Sequence, residues 1–382
     1  MRIAQIVTVV TPEGAYGGPV RVAVNQAKAL IAQGHEVTIF AGTRGFIEPP
    51  REIDGVPVRL FATIQAIPKA GFAGISSLGL LRAIRRETHL FDIWHIHLAR
   101  DLVTLPAATI IRHAKVPYVL QCHGMIDESA KLLALPLDFA LTRPVLRSAS
   151  RILSLTPREE HDLHQVGGPH LTVSRIANGI TLAQPSQPNP SARREALYLA
   201  RLQKRKRPQF FVEAALQIAA RSPEFQFALV GPDEGEGPAV QTLIDTADYG
   251  DRISWSGGLP PEETIERMRS ASIYVLPSVD EPFPMSVLEA LSVGLPVVIT
   301  DTCGLAPFVR SADAGLVVDH SQESLTNAVE LLLTDQKLAL RMGQNGRALV
   351  EREFSIEAVA EQLAGHYEEA LGARSASSAT TE

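Results

Sequence analysis

The sequence has few cysteines and no long apolar run. Cys122 and Cys303 are its only cysteines, and they lack the CxxC spacing of a thiolate zinc site or a small disulfide framework. No stretch of about 18 or more uncharged apolar residues is present, and the opening MRIAQIVTVV is too short for a signal-peptide core. We therefore expect a cytoplasmic protein that neither spans a membrane nor is secreted.

An excess of basic charge is also missing. The 36 Lys and Arg residues are outnumbered by 42 Asp and Glu residues, which gives a net charge of −6, so overall basicity does not predict a nucleic-acid partner. The composition is that of an ordinary globular protein, with 45% hydrophobic and 20% charged residues. Its 382 residues exceed the roughly 250–300 residues at which a single core stops growing, so two domains are expected.

Short runs rich in Val and Ile recur along the chain, each followed by a turn and an amphipathic segment. This alternation predicts an α/β fold of two Rossmann-like, doubly wound domains, each with a parallel sheet covered on both faces. In the first half, the predicted strands are residues 3–10, 36–40, 58–61, 93–97, 118–121 and 151–155. In the second half, they are residues 196–200, 226–230, 253–256, 273–276, 296–300 and 315–318.

The domain boundary is predicted from composition. Residues 181–192 contain three prolines and no apolar periodicity, which indicates a linker between domains 1–180 and 193–355. Residues 356–372 predict an amphipathic helix that packs back on the first domain, and residues 373–382 a disordered polar tail. Because such sheets bind ligands at the carboxyl ends of their strands, we expect the two domains to face a shared cleft that holds the ligand.

Adjacent glycines follow the first predicted strand. Gly17 and Gly18 precede a predicted helix, and glycines there allow backbone N–H groups to approach a phosphate at the helix N-terminus. A flexible turn is the alternative interpretation. The spacing is not GxGxxG and no acidic residue closes a second strand near Phe40, so a two-domain dehydrogenase is the least favoured function.

Basic residues follow the first strand of the second half. Arg201 lies at the end of that predicted strand, and a basic run that includes Lys206 comes directly after it. Cations at the carboxyl end of a parallel strand suit a diphosphate whose charge rises as it leaves. The alternative is a solvated basic turn, which the strand-end position of Arg201 disfavours.

Two glutamates lie eight residues apart in the second half. Glu281 lies in a loop made rigid by Pro282 and Pro284, and Glu289 lies on a helix that begins near Met285. Both carboxylates are thereby directed towards one site, with the free N–H groups of the helix start between them. Structural carboxylates near a helix start are the alternative.

Histidines lie at the strand ends of the first half. His123 directly follows a predicted strand and precedes Gly124, a position that suits either a functional or a structural histidine. His95 and His97 alternate on a strand without converging carboxylates, so together with His113 they do not predict a metal site. A structural or substrate-contact role is favoured for them.

These elements form an ordered set that runs through nearly the whole chain. Its members are Gly17-Gly18, His123-Gly124, Thr156 with Glu159, Asn178-Gly179, Arg201 with Lys206, Val230-Gly231-Pro232-Asp233, the Gly257 turn, and the E-x7-E motif of Glu281 and Glu289. The set resembles the retaining, nucleotide-sugar-dependent glycosyltransferases of the GT-B fold, family 4.

The resemblance implies how a nucleotide-sugar donor is bound. Arg201 and Lys206 would hold the diphosphate with the Gly18 N–H, Glu289 would bind the ribose hydroxyls, and the backbone near Leu259 would face the base. The donor-binding residues implied are Gly17, Gly18, Arg201, Lys206, Leu259, Pro284, Met285, Ser286 and Glu289.

The same resemblance implies catalytic residues and a reaction. Glu281 would contact and electrostatically support the transferred sugar, and His123 would lie on the sugar side of the site. Neither a cofactor nor a metal is expected, since similar enzymes need no metal and the sequence has no Asp-x-Asp triplet. The reaction implied is retaining transfer from a UDP- or GDP-sugar to a hydroxyl of a glycan or lipid-linked acceptor, in cell-envelope or exopolysaccharide synthesis.

The chain also departs from the family pattern. Pro284 and Arg207 stand where the family usually has glycine, and Thr181 stands where Asp is often found. These changes bear on loop geometry and sugar choice more than on the activity. A non-hydrolysing sugar-nucleotide epimerase and a non-catalytic nucleotide-sugar-binding subunit are the alternatives, both disfavoured by the intact charged motifs.

Two segments combine apolar and basic residues. Residues 71–89 and 131–151 either pack their apolar side chains in the domain core or dock reversibly on the cytoplasmic leaflet of a membrane. The first segment favours core packing slightly, and for the second the alternatives are equal.

Overall fold

The computed structural model describes residues 1–12, 17–68, 70–127, 134–185, 194–247, 249 and 252–379. The chain divides into two compact units. Unit 1 contains Met1–Gly179 and Ile356–Glu382, and unit 2 contains Ile180–Ser355. Of the predicted linker, residues 181–185 are described and belong to unit 2, and the rest lie outside the described residues.

Unit 1 is built on a mainly parallel sheet of eight strands in its described part, in the order β10-β9-β8-β7-β1-β2-β4-β3, with only β3 antiparallel to its neighbour. A two-stranded hairpin, β5-β6, lies apart from it. The strands are β1 (Arg2–Val10), β2 (Glu36–Thr43), β3 (Glu52–Ile53), β4 (Val56–Ala62), β5 (Ile64–Gln65), β6 (Ile75–Ser76), β7 (Ile93–His97), β8 (Tyr118–Gln121), β9 (Arg151–Ser154) and β10 (Val173–Arg175). The helices are α1 (Gly17–Ala32), α2 (Leu78–Glu87), α3 (Thr104–His113), α4 (Ala134–Leu137), α5 (Arg143–Ser148) and α6 (Pro157–Gly167).

Unit 2 is built on a fully parallel sheet in the order β13-β12-β11-β14-β15-β16. Its strands are β11 (Glu195–Leu199), β12 (Gln226–Val230), β13 (Ile253–Trp255), β14 (Ile273–Leu276), β15 (Val297–Thr300) and β16 (Gly315–Val318). Its helices are α7 (Pro208–Ala219), α8 (Gly237–Asp245), α9 (Thr264–Arg269), α10 (Met285–Ser292), α11 (Ala306–Ala312), α12 (Gln322–Thr334) and α13 (Gln336–Leu349). Numbered within the unit, the strand order is 3-2-1-4-5-6, the classic doubly wound order, and the order reverses between β11 and β14.

The chain returns to unit 1 as α14 (Ile356–Ala379). Val359, Leu363 and Tyr367 of this helix are fully buried in one apolar cluster with side chains of α1 and of the sheet. The helix is longer than the sequence predicted. Residues 373–379, expected to be a disordered tail, are helical, and residues 380–382 lie outside the described residues.

A second apolar cluster covers the other face of the unit 1 sheet. It includes Ile75, Leu80 and Ile84 from the first of the two amphipathic segments, and Val145 and Leu146 from the second. These five side chains pack in the core, as one of the two alternatives predicted, whereas Leu78 of the first segment and Phe139 of the second are exposed. No helix in the described part of the chain is long and apolar enough to cross a membrane.

The predicted fold class is confirmed, because both units are α/β with the doubly wound strand order. All twelve predicted strands are present with ends that shift by a few residues. The sequence did not predict β3, the β5-β6 hairpin or β10, which are two or three residues long.

Candidate active site

In unit 2, the predicted charged residues meet at the carboxyl end of the sheet, where its strand order reverses. Arg201 and Lys206 follow β11, and Glu281 follows β14, its neighbour in the sheet. Lys206 Nζ lies 2.6 Å from Glu281 Oε2, and only 11% and 9% of the two side chains are exposed. Two segments far apart in sequence are therefore joined by a largely buried ion pair.

Arg201 has a different environment. Its side chain is 56% exposed, and Nη1 lies 3.0 Å from Glu234 Oε1, which follows β12. Gln203 donates a second hydrogen bond to the same carboxylate, and these bonds lower the pKa of Glu234. Sequence reasoning missed Glu234, because nothing in its local pattern indicates that it pairs with Arg201.

A cleft of about 260 Å³ opens beside these residues within unit 2. Glycine allows two strand ends to approach each other there, because a Cβ on Gly231 would lie 1.9 Å from the Ala200 carbonyl oxygen. Leu259, predicted to face the base, lies in the cleft wall. The wall includes Leu199, Arg201, Lys206, Gly231, Leu259 and Ser286.

A buried tyrosine of β14 contacts the start of α10, the helix that carries the second glutamate of the E-x7-E motif. Tyr274 of β14 is fully buried; its hydroxyl donates to the Leu199 carbonyl oxygen at 3.0 Å and lies 2.8 Å from Ser286 Oγ. Burial raises the pKa of Tyr274, so this hydroxyl stays a neutral donor. It connects the end of β11 to the first turn of α10.

The loop that carries Glu281 is also fixed by a close backbone contact. The Gly304 N–H donates to the Glu281 carbonyl oxygen at 2.8 Å, and a Cβ on Gly304 would lie 1.8 Å from the Pro282 carbonyl oxygen. Pro284 is buried and immediately precedes α10, which begins at Met285. Glycine at 304 is therefore required for this loop to lie where it does.

Glu289 lies on α10, as predicted, and is partly buried. It is close enough to Tyr274 to contribute to the raised pKa of that hydroxyl. Its assignment to the ribose stays a prediction, as do the diphosphate contacts of Arg201 and Lys206.

The structure explains one departure from the family pattern. Arg207, where related chains usually have glycine, adopts a left-handed conformation with φ of 51°, which glycine adopts without steric cost. In this chain the Arg207 guanidinium lies 3.4 Å from the centre of the Phe210 ring and donates to the His320 carbonyl oxygen at 2.9 Å. These contacts hold the Arg207 side chain in place at the start of α7.

In unit 1, the glycine turn is partly described. Gly17 begins α1, and a Cβ on Gly18 would meet no atom within 4 Å. Residues 13–16, which precede them, lie outside the described residues. The predicted contact of the Gly18 N–H with a diphosphate stays a prediction.

His123 lies directly after β8, at the carboxyl end of the unit 1 sheet. Its backbone is left-handed, with φ of 51°, and the turn is held by the buried carboxylate of Glu159. One oxygen of that carboxylate accepts from the Gly124 N–H and the other from the Leu155 N–H, both at 2.7 Å. Glu159 therefore fixes the backbone that directs the His123 side chain.

No group of three or more His, Cys, Asp or Glu residues in the described part of the chain is arranged to hold a metal ion. His95 and His97 are buried, whereas His113 Nδ1 donates to the Thr109 carbonyl oxygen at the surface of α3. Cys122 and Cys303 are free thiols.

Comparison with known proteins finds a glycosyltransferase family model that matches each unit. The family described as "Glycosyl transferases group 1" matches residues 180–349, and the "Glycosyl transferase 4-like domain" matches residues 17–179. The D-inositol 3-phosphate glycosyltransferase of Corynebacterium glutamicum is 27% identical, and the alignment covers 97% of each chain.

Solved structures show the same fold. The sucrose-phosphate synthase of Thermosynechococcus elongatus superimposes with a TM-score of 0.70 at 21% identity, over 98% of this chain and all of that one. Anabaena HepE in complex with UDP gives a TM-score of 0.71 at 18% identity, over 96% of this chain and 99% of that one. The chain therefore belongs to the GT-B glycosyltransferases of the family 4-like type, as its motifs predicted.

Proposed function

We propose that this glycosyltransferase moves a sugar from a UDP- or GDP-sugar to an acceptor hydroxyl with retention of anomeric configuration. The observation that carries the proposal is the placement of Arg201, Lys206 and Glu281 around the carboxyl ends of β11 and β14. In such transfer the bond from the sugar C1 to the diphosphate oxygen breaks and a bond from C1 to the acceptor oxygen forms. The acceptor proton passes to an oxygen of the departing diphosphate.

The negative charge that develops on the leaving diphosphate determines which residues stabilise the transition state. The diphosphate gains negative charge as it leaves, and preorganised cations stabilise that charge more in the transition state than in the ground state. Arg201 and Lys206 supply two cations at the wall of the cleft. We propose that they replace the divalent metal that other sugar transferases require, which predicts full activity in excess EDTA.

The two glutamates take separate parts of the donor in this proposal. Glu281, at the loop end of the E-x7-E segment, supports the transferred sugar, and Glu289, a turn into α10, binds the ribose. HepE, a structural neighbour of the same fold, has been solved with UDP, which supports a nucleotide-sugar donor for this chain.

Calorimetry can test whether Glu281 and Glu289 bind separate parts of the donor. Glu289→Gln should weaken binding of free UDP or GDP, whereas Glu281→Gln should not weaken that binding but should lower kcat by about 10²–10³-fold, the typical loss for one stabilising contact. Glu323→Gln, at an exposed position of α12, is the matched control and should change neither. Equal loss of nucleotide affinity in both site variants would contradict the assignment.

A labelled donor separates this function from its alternatives. Incubation with a radiolabelled UDP-sugar or GDP-sugar and an acceptor extract should give a labelled acceptor and free nucleoside diphosphate. An epimerase would return an altered donor, and a non-catalytic subunit would return the donor unchanged.

We also propose a peripheral membrane position, which would bring a lipid-linked or cell-envelope glycan acceptor to unit 1. Leu78, Arg82 and Arg85 follow the helical spacing i, i+4, i+7 on the exposed face of α2. Leu78 is 56% exposed; Ile64, in the β5-β6 hairpin that precedes α2, and Ile67, which follows β5, are 58% and 44% exposed. An apolar surface flanked by cations suits an anionic bilayer, to which each basic residue contributes about 1 kcal/mol.

Vesicle co-sedimentation tests this position. The protein should bind vesicles that contain phosphatidylserine at low salt and bind phosphatidylcholine vesicles poorly. The double variant Arg82→Glu/Arg85→Glu should lose that binding, and Arg158→Glu, an exposed arginine at the start of α6, should retain it. Binding that is indifferent to salt and to both variants would refute the membrane position.

A further inference from the structure

Three histidine rings form a continuous stack in unit 1. The rings of His95 and His97, on β7, are stacked with centroids 4.6 Å apart, and the rings of His97 and His123 are stacked at 5.1 Å. His95 Nδ1 lies 2.7 Å from the Tyr367 hydroxyl of α14. The stack thus extends from the C-terminal helix to the residue that follows β8.

One hydrogen bond joins two rings of this stack, those of His97 and His123. His97 Nδ1 and His123 Nε2 are 2.7 Å apart. Burial lowers the pKa of His123 to about 4 and holds the pKa of His97 well below its usual value. Both rings are therefore neutral at pH 7, each carries one N–H, and one ring donates while the other accepts.

The surroundings of His97 decide which ring donates. Across the sheet, His97 pairs with Gln121 of β8, whose Oε1 accepts from Gln26 Nε2 at 3.1 Å. Within the described residues, the buried Nε2 atoms of both Gln121 and His97 have no hydrogen-bond partner. A buried N–H donor without a partner is rarer in proteins than a buried acceptor without one, so the unpartnered His97 Nε2 is the ring nitrogen that carries no proton.

The proton of His97 therefore lies on Nδ1, and this N–H donates to His123 Nε2. A neutral His123 whose Nε2 accepts must carry its own proton on Nδ1. The second nitrogen of a histidine is set in this way by the hydrogen bond that the first one makes.

We propose that His97 is a positioning residue that fixes His123 as the neutral Nδ1–H tautomer, so that His123 serves as a hydrogen-bond donor to a sugar hydroxyl oxygen and not as a base. The inference rests on the proposed function for its ligand, a sugar, but the tautomer itself belongs to the protein alone. Glu159 fixes the backbone of the same turn through the Gly124 N–H, so ring and backbone are held by separate contacts.

The tautomer can be measured on the full-length protein by nitrogen NMR. With ¹⁵N-histidine labelling, a bare ring nitrogen resonates far from a protonated one, and the His123→Gln variant identifies the His123 signals. At pH 7, His123 should show a protonated Nδ1 and a bare Nε2. A protonated Nε2, whether alone or with a protonated Nδ1, would overturn the proposal.

Variants of His97 test whether this residue sets the tautomer. His97→Phe keeps an aromatic ring but removes the donor, so His123 should populate both tautomers. His97→Asn places an amide where Nδ1 lies and should restore the Nδ1–H form. Tyr367→Phe alters the far end of the same stack and is the matched control, which should leave the His123 spectrum unchanged.

Two results would refute the role of His97. One is a His123 that keeps a single Nδ1–H tautomer in His97→Phe, and the other is a tautomer that changes equally in Tyr367→Phe. If His97→Phe does not fold, the spectra of the wild type and of His97→Asn still test the proposal. A protonated His123 Nε2 in either protein contradicts it. Failure of sugar transfer would refute the proposed function but would leave these spectra, and the tautomer they report, unaffected.

Discussion

Lys206 has two tasks that a single substitution cannot separate. It is expected to hold a diphosphate, and it also neutralises Glu281 in a place where about a tenth of each side chain is exposed. Removal of one partner of a buried ion pair typically costs 3–5 kcal/mol, because the other charge is left without compensation. Stability and donor binding are thus coupled at one ammonium group.

We predict that Lys206→Ala lowers the free energy of unfolding of unit 2 by about 3–5 kcal/mol and also weakens binding of a nucleoside diphosphate. Arg205→Ala is the matched control: Arg205 Nη2 lies 3.5 Å from the same Glu281 oxygen, but its side chain is 43% exposed. It should cost less than about 1 kcal/mol. Urea unfolding and UDP calorimetry measure both effects, and equal stability of the two variants would show that the buried pair does not hold the loop.

The sequence predicted which residues carry charge at the strand ends but not how they pair. Arg201, Lys206 and Glu281 could be placed because each follows a predicted strand. Their partners could not, since the contacts between Arg201 and Glu234, and between Lys206 and Glu281, depend on the order of strands in the sheet. Likewise the position of His123 was predictable, whereas its bond to His97 required the register of β7 against β8.

At the scale of elements, α14 completes the core of unit 1. Its buried face packs on α1 and the sheet in the same apolar cluster as Ala27, Leu30 and Val119. The whole of unit 2, Ile180–Ser355, lies in the sequence between this helix and the elements of unit 1 that it covers. The helix therefore completes the apolar core of unit 1 although it is the last element of the chain.

We predict that Leu363→Ala destabilises unit 1 by about 2–5 kcal/mol, the usual cost of such a truncation in a packed core. Leu363 is completely buried in the cluster under α14. Leu90→Ala is the matched control, since Leu90 is 55% exposed in the same unit, and it should change stability by less than about 0.5 kcal/mol. Thermal unfolding compares them, and similar midpoints would mean that α14 is not part of the core.

The element boundaries show where sequence patterns stop being informative. All central strands were predicted, because runs of Val and Ile buried on both faces are distinctive. The three-residue edge strand β10 (Val173–Arg175) has no such run. The end of α14 was placed too early because its last residues are small and polar, yet extension of an existing helix is far easier than its nucleation and Ala favours it.

At the scale of the whole molecule, the buried histidines make the two units differ in their response to acid. Burial lowers the pKa of His95 to about 3 and that of His123 to about 4. Below pH 6.5 the unfolded chain takes up protons that the folded unit 1 excludes, so stability falls as the pH falls. Unit 2 contains a single histidine, His320, which is half exposed.

We predict that a change from pH 7 to pH 5 destabilises unit 1 selectively, by about 1 kcal/mol per pH unit for each buried histidine. Amide hydrogen exchange followed by mass spectrometry measures this, after correction for the intrinsic pH dependence of exchange. Unit 2 serves as the control within the same molecule. Equal loss of protection in both units would contradict the prediction.

The return of the chain to unit 1 at Ile356 has a consequence for protein synthesis. The unit that begins first on the ribosome is the last to be completed, because Leu363 and Tyr367 emerge only after the whole of Ile180–Ser355 has been translated. At about 5–20 residues per second, the apolar surface that these side chains cover stays open for roughly 10–40 s. During that interval, the face of the nascent sheet that α14 later covers is accessible to chaperones and proteases.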